Sequence, residues 1–284
     1  MSYLIHLRLP FQVLLSPIFL WAYLMADGKP SWTLAIAYVA FHLFGYAGGT
    51  AFNSFYDRDE GPVGGLAVPP PVPAGLLVFS LAWQAAGFAL ALMVGVPLAA
   101  IYAIMFSLSV AYSHPAIRWK GKPLLALLTV ALGQGVLACL GGWAAARNEV
   151  ASAGSLTGLL SVSAATLITT GFYPLTEIYQ LDEDARRGDR TAAIWLGPRN
   201  AFRFALALLS CGALLAFLLV GTRYGWLEAA LLAAWVSAII VAIRRWSQRF
   251  DRRAVMLNFR MVMRLYAAVS LGFMLWLGWH LFTS

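Results

Sequence analysis

Apolar residues gather in nine long runs along the chain, at about 10 to 26, 31 to 53, 73 to 94, 96 to 113, 123 to 146, 155 to 180, 200 to 221, 225 to 243 and 261 to 282. Each approaches the ~20 residues that an α-helix needs to cross a hydrocarbon core. The breaks between them are well marked, by Asp27-Gly-Lys-Pro30, Pro69-Pro-Pro71-Val-Pro73, Gly95-Val-Pro97, His114-Pro115, Arg147-Asn-Glu149, Gly197-Pro198 and the stretch from Gly221 to Gly225. The pattern predicts an all-α, polytopic membrane protein of nine transmembrane helices, organised as two related four-helix halves plus a ninth helix. One domain is expected to cover residues 1–284.

Composition agrees with this and narrows it. With 61% hydrophobic and 11% charged residues in 284, the chain leaves no room for a separate soluble domain. Cys139 and Cys211 lie singly in apolar runs and are read as packing residues rather than a disulfide or zinc site. No cleavable leader is evident, and the first run reads as a retained anchor. No nucleic-acid partner is expected. The positive charge collects instead where membrane topology predicts it.

Seventeen of the twenty Lys and Arg residues fall at the N-terminus or in the links after runs 2, 4, 6 and 8. Only Lys29, Arg147 and Arg223 fall on the other side. Cytoplasmic links gather cations, so the N-terminus is expected in the cytoplasm and the C-terminus, at Ser284, outside.

Against this background the acids are unevenly placed. Eight of the twelve sit in two stretches, Asn53-Ser-Phe-Tyr-Asp57-Arg58-Asp59-Glu60-Gly61 and Glu177-Ile-Tyr-Gln180-Leu-Asp182-Glu183-Asp184, the latter followed by Gly188-Asp189-Arg190-Thr191. Each stretch closes an apolar run on the expected cytoplasmic side, at matching points of the two halves. Asn53 and Asp57 are four apart and share a helical face, as do Gln180 and Asp184. Carboxylates this concentrated beside hydrocarbon require a cation or arginines to offset them. Hard oxygen ligands facing each other suit magnesium, which leaves coordination sites for water and phosphate. The link after run 4 adds Arg118, Lys120 and Lys122 on the same side, although topology alone would also put cations there. Asp59, Glu60, Asp182 and Glu183 are either further ligands or exposed acids. Asp189 and Glu177 are either site residues or partners of nearby arginines, and Arg8 is a candidate phosphate contact.

The two stretches resemble the paired motifs of the UbiA superfamily of intramembrane prenyltransferases, which carry Asn-Asp-x-x-Asp-x-x-x-Asp after helix 2 and Asp-x-x-x-Asp after helix 6. The sequel Gly-x-(Lys/Arg)-Thr is present at Gly188 to Thr191. Ser54, Gly61 and Gln180 stand where that family usually has Asp. The resemblance implies Mg2+ as cofactor, a prenyl diphosphate donor, a small lipophilic or aromatic acceptor, and contact with membrane lipids. It also implies roles. Asn53, Asp57, Asp59, Gln180, Asp182 and Asp184 would hold metal, and Asp57, Asp184 and Lys120 would be catalytic. Arg58, Arg118, Lys120, Arg190, Tyr112, Tyr173 and Tyr179 would bind substrate, the cations on diphosphate and the aromatic faces around an allylic cation. An intramembrane terpene cyclase is the alternative within this resemblance. An ion-coupled transporter is the reading from another class, disfavoured because the acids lie at span ends rather than at the midplane.

Overall fold

The computed structural model describes Ser2–Thr283, so Ser284 lies outside the described residues. Among these residues the chain is helical, with a lone bridge between Val63 and Leu66 as its only extended pairing. Helices α3 (Trp32–Asp57), α4 (Leu76–Val94), α5 (Val96–Ser113), α6 (Pro123–Arg147), α7 (Leu156–Glu177), α9 (Ala192–Arg223), α10 (Trp226–Gln248) and α11 (Val255–Thr283) are each long and apolar enough to cross a bilayer. Before them, Ser2–Leu14 (α1) and Ser16–Met25 (α2) follow one another with a 46° bend, and taken as one broken span they bring the count among the described residues from eight to nine. A short helix, α8 (Leu181–Arg187), separates α7 from α9.

Local chemistry accounts for the boundaries. Ser31 and Ser155 each accept a backbone N–H with their hydroxyl at the start of α3 and α7, satisfying a donor the helix cannot use. Pro123 opens α6, where a missing N–H costs nothing. The predicted spans and the helices differ at several ends, the first helix starting at Ser2 rather than near 10 and the eighth span running on to Gln248 rather than 243. The sixth ends at Glu177 rather than near 180, and α11 begins at Val255, six residues before the last apolar run. The seventh begins at Ala192, but Gly197 breaks it with φ 70 and ψ 156, and Pro198 restarts it.

Two stretches are wound more loosely. Val39–Tyr46 in α3 and Ala131–Leu137 in α6 are π-helical, a distortion that recurs at functional sites because the extra residue re-aims side chains. Each contributes a residue to the lining of an internal cavity, Tyr46 from the first and Gln134 from the second. The lipid-facing surface is apolar, with Leu227 76% exposed on α10 and Leu275 78% exposed on α11. Such exposure would be ruinous in water and costs nothing in hydrocarbon.

Candidate active site

A cavity of about 290 Å³ opens at the end of the bundle that carries both acidic stretches. The last turn of α3 presents Asn53 and Asp57 to it, as their spacing requires, and Gln180 and Asp184 face it from α8. The backbone N–H of Asp184 donates to the carbonyl of Gln180 at 2.9 Å, so this spacing is one true helical turn. Lys120, from the link after α5, ion-pairs with Asp57 inside the cavity. Deeper in, Tyr112, Tyr173 and Tyr179 line the wall, and the hydroxyls of Tyr112 and Tyr173 are 2.9 Å apart.

The two stretches are also joined directly. Arg187 donates to Asp59 at 2.9 Å and ion-pairs with Glu183. The Glu183 carboxylate accepts the backbone N–H groups of Glu60 at 2.9 Å and Gly61 at 3.2 Å. A Cβ on Gly61 would lie 2.6 Å from a Glu183 oxygen, so the carboxylate fills the space beside residue 61. The acid absent from the first stretch therefore has its charge supplied, at nearly the same place, by the second.

Several sequence expectations change here. Asp182 points away from the cavity and binds Arg252 at 2.5 Å, with both side chains more than half exposed. Two residues along a helix is about 200°, which carries Asp182 to the opposite face from the cavity. Arg58 and Arg190 are exposed and do not line the cavity, the latter contributing only a backbone N–H to the Gly121 carbonyl at 3.2 Å. Arg118 stands just behind the wall, donating to both oxygens of Asp189 at 2.7 and 2.6 Å and lying 3.7 Å from Asp57. That bidentate bond holds the guanidinium above its ordinary pKa. Asp189 thus has an arginine partner, whereas Glu177 accepts the N–H of Ala193 at 3.0 Å instead.

Two cavity cations carried little or no sequence signal. Arg8, 6% exposed, donates to Ser54 at 2.8 Å and approaches Asp59 at 3.8 Å. Its side chain enters the cavity because its backbone is left-handed, φ 51, between the two turns of α1. Arg187 looked like one more cation of a basic link, and nothing in its spacing showed that it would reach Asp59 in the other half. Arg58 and Arg118 are also left-handed, at φ 49 and 46, so three arginines at this end share a conformation that non-glycine residues avoid.

Burial pushes Asp184 up to about 7, with Lys120 opposing the shift. Lys120 and, at 3.7 Å, Arg118 address the same Asp57 oxygen, Oδ1, while Oδ2 makes no hydrogen bond with another described residue. Among the described residues no three His, Cys, Asp or Glu side chains converge at metal-ligand spacing. Magnesium rarely needs such a cage, since one or two carboxylates per ion, with water and phosphate oxygens, complete its shell. Asn53 with Asp57 and Gln180 with Asp184 fit that requirement.

The fold and site define a multi-pass helical bundle with a charged cavity mouth above an aromatic interior. The chain belongs to the UbiA prenyltransferase family, whose pattern matches residues 14–265. It is 34% identical over 135 residues to a lycopene elongase/hydratase of Haloferax volcanii, covering 48% of this chain and 40% of that one. It is 31% identical over 157 residues to a protoheme IX farnesyltransferase of Pyrobaculum islandicum, covering 50% and 55%. The chain thus matches about half the length of these curated relatives. Its fold is similar to that of a UbiA homologue from Archaeoglobus fulgidus solved with GPP and Mg2+, with TM-score 0.70, 19% identity, and coverage of 96% of this chain and 99% of that one. A UbiA homologue from Aeropyrum pernix gives TM-score 0.63 at 21% identity over 93% and 97%.

Proposed function

We propose that this protein is a Mg2+-dependent prenyltransferase that moves a prenyl group from a prenyl diphosphate to a small lipophilic or aromatic acceptor and releases diphosphate. The observation that carries this is the union, in one cavity, of a mouth bearing Arg8, Lys120 and Arg187 with an interior of Tyr112, Tyr173 and Phe106. The family's title activity and the GPP and Mg2+ bound by the Archaeoglobus fulgidus homologue point the same way.

The residues divide the work by depth. Arg8, Lys120 and Arg187 grip the diphosphate, and Arg118, tied to Asp189, keeps positive charge behind Asp57. Asn53, Asp57, Gln180 and Asp184 would hold magnesium, which when bound would supply charge to neutralise the leaving diphosphate. As the allylic C1–O bond breaks, its electron pair leaves with diphosphate, and the aromatic faces shield the carbon from water. The acceptor's nucleophilic atom bonds to C1 and its proton passes to the released diphosphate. The orientation suggested by the basic residues places this mouth and the N-terminus in the cytoplasm, with the C-terminus outside.

The test is diphosphate release by purified protein in lipid, with Mg2+ and geranyl diphosphate, in the presence and absence of a phenolic acceptor. Acceptor-dependent release of diphosphate and a prenylated product is expected. A cyclised hydrocarbon formed from the donor alone would reassign the protein to terpene cyclisation.

A further inference from the structure

A second and larger cavity, of about 460 Å³, lies between α2, α7, α9, α10 and α11. Its lining contains no charged side chain, and it reaches the lipid face, where the lining residues Leu214 and Trp235 are 57% and 44% exposed. It meets the charged cavity at four residues that line both, Leu15, Tyr46, Gln134 and Tyr266. Tyr46 and Gln134 come from the two π-helical stretches, so the loosened winding of α3 and α6 aims side chains at this neck. The polar ends of Tyr46, Gln134 and Tyr266, half-buried where the two cavities meet, engage no hydrogen bond with another described residue. Polar groups so placed are usually paired, and a ligand head is the natural partner.

We infer that this chamber binds the apolar chain of a neutral, bilayer-resident acceptor, whose polar head is held at the neck by Tyr46, Gln134 and Tyr266. The inference rests on the prenyl-transfer reading above and narrows its acceptor from any small aromatic compound to one with a long apolar tail. The donor's chain is accounted for elsewhere, because the charged cavity has its own apolar arm at Tyr102, Met105, Phe106 and Leu108, continuous with Lys120 and Asp57. Nothing around the second chamber could neutralise a diphosphate, so the molecule that enters through it has an uncharged head. At ~30 Å³ for each methylene-sized group, the volume admits a chain of about fifteen carbons. A phenol or quinol head at the neck would meet two hydroxyls and an amide, and its ring carbon would face the mouth where the donor ionises.

The test uses 4-pentadecylphenol with a terminal diazirine, photolysed with the full-length protein in lipid nanodiscs and mapped by peptide mass spectrometry. Labelling is expected on residues 209–217 and 232–240, competed by unlabelled 4-pentadecylphenol far better than by 4-methylphenol. Ala213→Trp and Ala233→Phe fill the chamber from two helices, and each should lower that competable labelling about tenfold, the effect of losing roughly two buried methylenes. Geranyl diphosphate binding should be unchanged in both, which also shows that they are folded. Competition by geranylgeranyl diphosphate instead would assign the chamber to the donor and overturn the inference. Labelling equal in wild type and both variants, as from bulk lipid contact, would overturn it as well. Because binding is read without turnover, failure of diphosphate release would sink the prenyl-transfer reading while leaving this result intact.

Discussion

Replacing Gly61 by Asp restores the residue that the wider family carries, yet this structure predicts that it harms the protein. The new Cβ would stand 2.6 Å from a Glu183 oxygen, closer than real Cβ atoms approach anything. Glu183 must then leave the Glu60 and Gly61 N–H groups, bonds to a charged acceptor that contribute ~1.5–3 kcal/mol each. Glu183 Oε2 is the end of a flexible side chain and swings clear of the new carboxylate, so the two lost bonds set the cost. A net cost of about 3 kcal/mol follows, equivalent to a fall of roughly 6–12 °C in Tm for a chain of this size class. Glu183→Ala has already given up both bonds, so Gly61→Asp should cost much less on that background than in the wild type. Tryptophan fluorescence melting of the four proteins in detergent gives the coupling directly. If Gly61→Asp melts with the wild type, or costs the same with and without Glu183, the two residues do not share one place and the reasoning fails.

Magnesium titrations of activity provide two further checks. Gln180→Asp should lower the half-saturating magnesium concentration, because an amide oxygen gives way to a charged ligand, while Asp182→Asn, on the exposed face with Arg252, should change it little. A severe Asp182→Asn defect would relocate the metal site. Asp184 titrates near 7, raised from 3.8 by burial, and must lose its proton to bind metal. Half-saturation should therefore rise as pH falls through 7, and Asp184→Asn should flatten that dependence. The same shift makes metal-free protein most stable at low pH, losing that advantage as pH rises through about 7. For sidedness, a cysteine at the exposed position 58 should resist a membrane-impermeant thiol reagent in intact cells and react in inverted vesicles, and labelling from outside would reverse the assigned topology.

Much of this architecture is written in single residues of the sequence, because hydrophobic run length and helical spacing are local properties. Asn53 with Asp57 and Gln180 with Asp184 face the cavity as a spacing of four dictates. Charge pairing is different. Arg187 reaches Asp59 across 128 residues, and Arg186 beside it is exposed, a choice decided by which way α8 presents each side chain. Asp182 looked equivalent to Asp184 in composition and is separated from it only by helical rotation. The space beside Gly61, where the resembled family usually has Asp, is filled by Glu183 from the other stretch, a pairing that no local pattern reveals. The π-helical turns and the second chamber left no sequence signal, since they depend on how five helices fail to close against one another.

Three arginines at this end of the bundle, Arg8, Arg58 and Arg118, hold the left-handed backbone that glycine adopts without penalty. For an L-residue each such turn costs ~1–2 kcal/mol, a large share of the few that separate a folded protein from an unfolded one. Two of the three charges serve the site, Arg8 inside the cavity and Arg118 behind Asp57, so at those turns the chain has traded durability for function. Arg58 has no such return inside the protein. Turns of this kind set the order in which drift can proceed. A lineage that lost its need for an anion would be free to relax 8 and 118 to glycine and gain stability, whereas one that kept the reaction would have to seek its stability elsewhere in the bundle.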